Sequence, residues 1–299
     1  MKSGSTDMQR SVHLKSFELF ARDINDVDVE LLHALTISVR WPHRQKDWEF
    51  LRQVGRGIVA VDGIGRVFGS AMWFPQGEDF ATIGLVITTP RAQAQGGGRW
   101  LMNQVLEQCG KRNLALNATH AAYPLYVSLG FTSEAIVDMR QGEVRPALHR
   151  LPSLDGKLSN LPSHRQAEIV AIDARAFGAN RAGLLAALAE VSSTVVLWRG
   201  DEIVGFSMCR EFGRGHQIGP TVAQNDHDAA HLTAAHLKNL RGRFARVDTR
   251  ERDGAFAEFL EKSGLSIAET VTTMSRGRRF LNRASHKPWT FGLAGHAVG

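Results

Sequence analysis

Residues 57–142 and 194–277 of this chain are two versions of one pattern, and that repetition restricts the fold more than any other feature of the sequence. The first version reads GIVAVDGIGRVFGSAMWF, ATIGLVITTP, a helical stretch, ALNAT and LYVSLGFTSEAIVDMRQG. The second reads TVVLWRGDEIVGFSMCREF, HQIGPTVAQ, a helical stretch, RVDTR and FLEKSGLSIAETVTTMSRG. Gly69 answers to Gly205, Ile83 and Gly84 to Ile218 and Gly219, Gly130 to Gly264, and Met139 to Met274. Register held through so many segments marks a duplicated domain. The 299 residues suit two domains of roughly 150 each, and either is long enough to bury a core.

Each copy mixes two periodicities. Residues 58–61 and 67–74 are short β-branched or aromatic runs about an Asp62-Gly63 turn, and residues 81–88 form a third apolar run closed by Pro90. Residues 98–111 carry Leu101, Met102, Val105, Leu106 and Cys109 at helical spacing. Residues 114–118 read as a strand, 121–129 as a helix ended by Gly130, and 135–140 as a last strand. The expected class is α/β (α+β), each copy a mixed, mostly antiparallel sheet flanked by helices. The expected organisation is a loose lead 1–14, a first domain 15–142, a proline-bearing linker 143–165, a second domain 166–280 and a tail 281–299. Trp289, Phe291 and Leu293 in the tail are expected to pack back on the domain or on a partner.

Apolar residues make up 43% and charged residues 22%, ordinary for a globular protein, and no apolar run approaches the roughly 18 residues of a membrane span. The start lacks a signal-peptide apolar region. With only Cys109 and Cys209, buried thiols in a reducing, cytoplasmic compartment are expected rather than a disulfide. The net charge of +6 sits mostly in the second half, in Lys238, Arg241, Arg243, Arg246, Arg250 and Arg252 and again in Arg276, Arg278, Arg279, Arg283 and Lys287. The plain reading is a solvated face; the alternative is a surface for a polyanion such as nucleic acid or CoA.

The segment from Thr89 to Arg99 joins a strand to a helix and contains Gly96, Gly97 and Gly98 in a row. Three glycines let backbone N–H groups converge, and at a helix N-terminus those groups lack internal partners and face the positive end of the dipole. Such a loop suits a pyrophosphate, with Arg91 and Arg99 flanking it. Gln93-x-x-Gly96-x-Gly98, then helix, strand and Leu125-Tyr126-Val127-Ser128-Leu129-Gly130-Phe131, resembles the GNAT family of acetyl-CoA-dependent N-acetyltransferases. The resemblance spans about residues 15–142 and continues, in fold pattern only, to Gly277. It is similar to tandem GNAT proteins whose C-terminal domain is degenerate.

The resemblance implies acetyl-CoA as co-substrate and direct attack of a primary amine, on a small molecule or a protein, on the thioester. It implies CoA contacts from Arg91, Gln93, Gln95, Gly96, Gly97, Gly98 and Arg99, with backbone amides of Leu85, Val86 and Ile87 beside pantetheine and the carbonyl. Tyr126 is the expected acid or hydrogen-bond donor to sulfur. Full transfer from a phenol of pKa about 10 to a thiolate of about 8.5 is uphill by ~2 kcal/mol, so hydrogen bonding is at least as plausible. Many members carry Asn where this chain has Thr119, which leaves that CoA contact open. Glu78, Asp79 and His120, or Asp173 and Glu211 from the second copy, are open as general base, beside one reached through water. In the second copy the loop positions fall near Asp228, His231 and Thr233, and Tyr126 answers to Leu260, so that copy is expected not to bind CoA in the usual way. No metal is expected: His227 and His231 lie one turn apart but HDAAH lacks a third ligand. Trp41, Pro42, His43, Asp47 and Trp48 read as core or rim, with an acceptor wall as the alternative. The competing function is a non-catalytic protein binding acyl-CoA or, through its basic half, nucleic acid. A membrane or nucleic-acid partner is not expected, and homodimerisation is left open.

Overall fold

The computed structural model describes residues 11–14, 17–90, 92–93, 95–147, 149–281 and 288–299. The first copy contains β1 (Ser11–Leu14), β2 (Phe17–Asp23), α1 (Val29–Ser38), α2 (Gln45–Val54), β3 (Arg56–Asp62), β4 (Val67–Gln76), β5 (Phe80–Thr88), α3 (Gly97–Cys109), β6 (Asn113–Ala118), α4 (Tyr123–Ser128) and β7 (Thr132–Glu143). Then follow β8 (Lys157–Asn160), α5 (Gln166–Phe177), α6 (Ala182–Val191), β9 (Ser192–Arg199), β10 (Glu202–Phe212), β11 (Gly215–Ala223), α7 (Asp226–Leu237), β12 (Phe244–Thr249), α8 (Gly254–Lys262), β13 (Ser266–Arg276) and β14 (Trp289–Gly292). Mostly antiparallel strands flanked by helices agree with the α/β (α+β) class read from the sequence. Chain contacts divide into two compact units, 1–74 with 83–111, and 75–82 with 112–299.

In the first unit the strands run in the order β1-β2-β3-β4-β5, with β2, β3 and β4 antiparallel. The helix α3 packs on β3 and buries Trp100, Leu101, Met102, Val105 and Cys109 on one face. It stops before Lys111 because Gly110 turns the backbone to φ +63°. Close packing explains Gly69: a Cβ there would lie 2.6 Å from the Ile87 carbonyl oxygen. Trp48 on α2 is fully buried and its indole N–H donates to Thr36 Oγ1 at 3.4 Å. The His43 ring lies between Trp41, at 5.8 Å, and Trp48, at 6.4 Å. Trp48 is therefore core, and Trp41 and His43 sit in the connection between α1 and α2.

The second unit has the order β6-β13-β7-β12-β11-β10-β9-β8, with β14 added beside β11. This order is not two copies laid end to end. The last strand of the second copy, β13, lies between β6 and β7 of the first, pairing antiparallel with both: Met274 opposite Leu116, Val271 opposite Val137. The last strand of the first copy, β7, in turn pairs with β12 of the second, Val247 opposite Arg140. The copies have exchanged their final strands. Within the stretch expected as a linker, Lys157–Asn160 forms a strand against β9, and the tail forms β14. Arg181 and Asp173, both fully buried, meet at 2.6 Å, and the same guanidinium donates to the Gly299 carbonyl and stacks 3.8 Å over Phe177. Burying such a pair stabilises only when its remaining donors are satisfied, and these extra contacts serve that end.

Two expectations follow. Because β13 carries ladder hydrogen bonds on both edges within the first copy, residues 1–142 expressed alone should lack cooperative thermal unfolding, whereas co-expression with 143–299 should yield a 1:1 complex that melts in one step by circular dichroism. A cooperative melt of 1–142 alone would contradict the exchange. The second concerns His236 on α7, buried with Nε2 3.1 Å from the Ser207 carbonyl oxygen, where burial pushes its pKa down to about 4. Between that value and the usual 6.5 the unfolded chain takes up a proton that the folded chain refuses. Stability contributed by the neutral ring is therefore full above pH 6.5 and is lost as pH falls toward 4, by roughly 3 kcal/mol. Urea unfolding at pH 7 and pH 4.5 should show a drop that His236→Gln reduces.

Candidate acyl-CoA site

The strand β5 contains the sharpest backbone departure near the glycine loop. Leu85 has φ +50° while nearly fully buried, and its carbonyl accepts a 2.8 Å hydrogen bond from Ser70 Oγ. A non-glycine residue held there costs on the order of 1–3 kcal/mol, so its surroundings must fix it. A left-handed residue inside a strand interrupts the regular pleat just ahead of Val86 and Ile87. Residues 85–87 stand out in the sequence only through the family resemblance, and apart from Gly84 the apolar run carries no mark of the irregularity.

Beyond Thr88 the chain folds into a tight turn. The Thr89 amide donates to the Phe68 carbonyl at 2.8 Å, and the Ala92 and Gln93 amides both donate to the Thr89 carbonyl. The Gln93 side-chain amide reaches back to the Thr88 carbonyl at 3.1 Å. Gly96 then takes φ +90° as the residue before α3, its own carbonyl receiving the Trp100 amide at 3.0 Å. A Cβ at Gly96 would meet nothing within 4 Å, so glycine is required there by backbone conformation and faces open space. The first turn of α3 has no acidic residue and no side-chain cap. The start of α3, where Gly97 and Gly98 lie, therefore presents the positive end of the helix dipole without a side-chain acid against it. Gly97 is buried, Gln95 and Gly98 are half-buried, and Gln93, Gly96 and Arg99 are exposed. Arg91 lies outside the described residues.

Thr119 and Tyr126 belong to the second unit. The Thr119 carbonyl accepts the amides of Ala122 and Tyr123 at 3.1 and 3.0 Å, which opens the turn into α4. Tyr126 is 5% exposed, with its ring edge-on to Phe131 at 6.0 Å. Burial pushes its phenol well above the usual tyrosine range. The carbonyl of Tyr126 accepts the Phe131 amide at 3.0 Å, closing the helix. Among the suggested bases, Asp173 is committed to Arg181, and the Asp79 carboxylate lies 3.6 Å from Arg278. Among the described residues no group of three or more His, Cys, Asp or Glu side chains is placed to hold a metal.

The second copy offers a built-in comparison. Leu265 donates its amide to the Leu260 carbonyl as Phe131 does to Tyr126, so Leu260 stands where Tyr126 stands. The loop correspondence needs correction: Asp228, His231 and Thr233 lie inside α7, and the residue before that helix, answering to Gly96, is Asn225. The separation between copies shrinks here because the second lacks the glycine-loop insertion. Asn225 Oδ1 accepts the Asp228 amide at 2.9 Å, Asp226 and Asp228 occupy the first turn, and Arg199 pairs with Asp228 at 2.8 Å. That helix end is capped by a side chain and carries acids of its own.

Two family models match the chain: the acetyltransferase (GNAT) family over residues 27–131 and an acetyltransferase (GNAT) domain over residues 169–287. The chain belongs to the GNAT acetyltransferases, with two such domains in tandem. This GNAT protein is 26% identical to the uncharacterised N-acetyltransferase YitH of Bacillus subtilis over 64% of its length and 68% of that protein's. It is 24% identical to a holothin acyltransferase of a Pseudoalteromonas species over 67% of its length and 68% of that enzyme's. A candidate acetyltransferase of Pyrococcus horikoshii shares its fold, with a TM-score of 0.78 at 18% identity, covering 96% of this chain and 98% of the other. The GNAT chain is thus an N-acetyltransferase by family, an enzyme of acyl transfer to amines. No helix among the described residues is long and apolar enough to cross a membrane.

Proposed function

We propose that this protein transfers an acetyl group from acetyl-CoA to a primary amine, and that its first copy carries the chemistry. The observation behind this reading is the N-terminus of α3, where amides of a glycine loop have neither cap nor acid. Gln93, Gln95, Gly96, Gly97, Gly98 and Arg99, with Arg91, would hold the CoA phosphates. Backbone amides at Leu85, Val86 and Ile87 would bind pantetheine and the thioester carbonyl, where negative charge grows during attack. Thr119 would sit beside the cofactor in place of the common asparagine. Tyr126 would donate a hydrogen bond to the departing sulfur. With its phenol pushed above its ordinary range by burial, complete proton transfer is disfavoured further, and stabilisation of the thiolate by a retained O–H is the role that fits. Three of the basic residues of the second half are engaged within the protein, Arg246 with Asp248, Arg252 with Asp138 and Arg278 with Asp79, which favours the solvated-face reading of that charge over a polyanion surface.

Calorimetric titration with acetyl-CoA should give one site per chain, abolished by Gly96→Glu because a carboxylate then faces the pyrophosphate from a strained position. Absence of binding in the unaltered protein would end this reading. In turnover with an accepted amine, Tyr126→Phe should lower kcat about 10- to 100-fold, the equivalent of a charge-assisted hydrogen bond, with KM for acetyl-CoA little changed. A fall in cofactor affinity with unchanged kcat would assign Tyr126 to packing.

A further inference from the structure

The second copy keeps the strands of an acyl-CoA fold but not an open place for the cofactor arm. We propose that the slot between β11 and β12 is a peptide-strand site, occupied by the chain's own residues 289–293 where a pantetheine arm would otherwise lie. This rests on the placement of pantetheine beside residues 85–87 in the first copy. Ile83 and Gly84 answer to Ile218 and Gly219, so Leu85, Val86 and Ile87 answer to Pro220, Thr221 and Val222. The strand β14 pairs at that place: Thr221 opposite Gly292, Val222 opposite Thr290 and Ala223 opposite Trp289.

The walls of the slot agree. Parallel pairing of β11 with β12 is confined to His216 opposite Ala245 and Gln217 opposite Arg246. Past those residues the tail bonds to both walls, through the β11 ladder and through the Leu293 amide, which donates to the Asp248 carbonyl of β12 at 2.8 Å. The fit is close. A Cβ on Gly219 would lie 1.9 Å from the Leu293 carbonyl oxygen. Trp289, Phe291 and Leu293 alternate in sequence, but the pairing shifts register by one residue between Thr221 and Val222, so Trp289 and Phe291 enter one apolar cluster and Leu293 packs with Val137 and Val271 in another. All three are buried, Phe291 stands edge-on to Phe256 at 5.6 Å, and the Trp289 indole N–H donates to Glu251 at 2.8 Å.

Chemistry explains the substitution. A pantetheine arm is an extended chain with two amide groups, so a strand edge that suits it also suits a peptide. The peptide adds aromatic side chains that pantetheine lacks. The phosphate end of the site has meanwhile been given to Asn225, Asp226 and Asp228. The ligand class of this slot is thus an extended apolar peptide, tethered in cis.

The test uses a chain ending at residue 288, shown to be folded by circular dichroism, and a fluorescent synthetic peptide of residues 288–299. Saturable 1:1 binding is expected, lost when the peptide carries Phe291→Asp. It should persist when the truncated protein carries Gly96→Glu, which separates this result from the fate of the first-copy acetyl-CoA reading. A folded truncated chain that ignores the peptide, or an intact chain that binds two acetyl-CoA molecules, overturns the proposal. Should the truncated chain not fold, hydrogen exchange in the intact protein decides. The Leu293 amide is expected to exchange on the order of 100-fold more slowly than in the free peptide, and Phe291→Ala to accelerate it. Exchange at the free-peptide rate overturns the proposal.

Discussion

The exchange of terminal strands between the copies is the constraint on which the second unit depends. With β13 between β6 and β7, and β7 against β12, the strand that precedes the Tyr126 helix is held by a strand encoded more than a hundred residues later. Buried pairs along this seam, Val137 with Val271 among them, are contributed by both copies. A second domain that had lost every chemical residue would still be retained under this arrangement, because the first cannot complete its sheet without it. The exchange also requires close backbone approach: a Cβ on Gly142 would lie 2.2 Å from the Gly264 carbonyl oxygen.

Against that shared frame, the two copies treat the same physical opportunity in opposite ways. Each has a long helix following a central strand, and each helix presents unsatisfied amides and a positive dipole at its start. In the first copy a left-handed glycine opens the helix, with no side-chain cap and no acid in its first turn. In the second, the Asn225 side chain accepts the Asp228 amide, two aspartates place negative charge in the first turn, and Arg199 pairs with one of them, Asp228. The contrast extends along the neighbouring strand. Leu85 takes a positive φ within β5, its carbonyl tied to Ser70, while the corresponding reach of β11 is covered by β14. Burial supplies the remaining element: it raises the Tyr126 phenol above its ordinary range, and Leu260 at the same place has no proton to give.

The duplication, the mostly antiparallel α/β class, the glycine loop and the Tyr126 helix were legible in the sequence because each is a local pattern. Periodicity, turn residues and a motif of fixed spacing act over a few residues. The helix boundaries followed too, within a residue or two, once glycine was recognised as the terminator. The strand at Lys157–Asn160 was not legible, because a short polar segment between prolines gains its ladder only from β9. Nor was the loop correspondence between copies, since a constant offset cannot register an insertion. The Leu85 conformation had no signal beyond Gly84 beside it, as leucine itself gives no hint of positive φ.

Local chemistry therefore decided which segments become strands and helices, and which stretch offers glycine amides to an anion. Only the tertiary structure decided which strands are neighbours. The sequences of β7 and β13 are similar enough that either could follow its own copy, and the choice between them is made by long-range pairing and burial. The tail shows the same division. Its alternating Trp289, Phe291 and Leu293 required an apolar partner, but a sequence pattern fixes only the need for burial, whereas the partner is set by the open edge of β11 that the folded second copy presents.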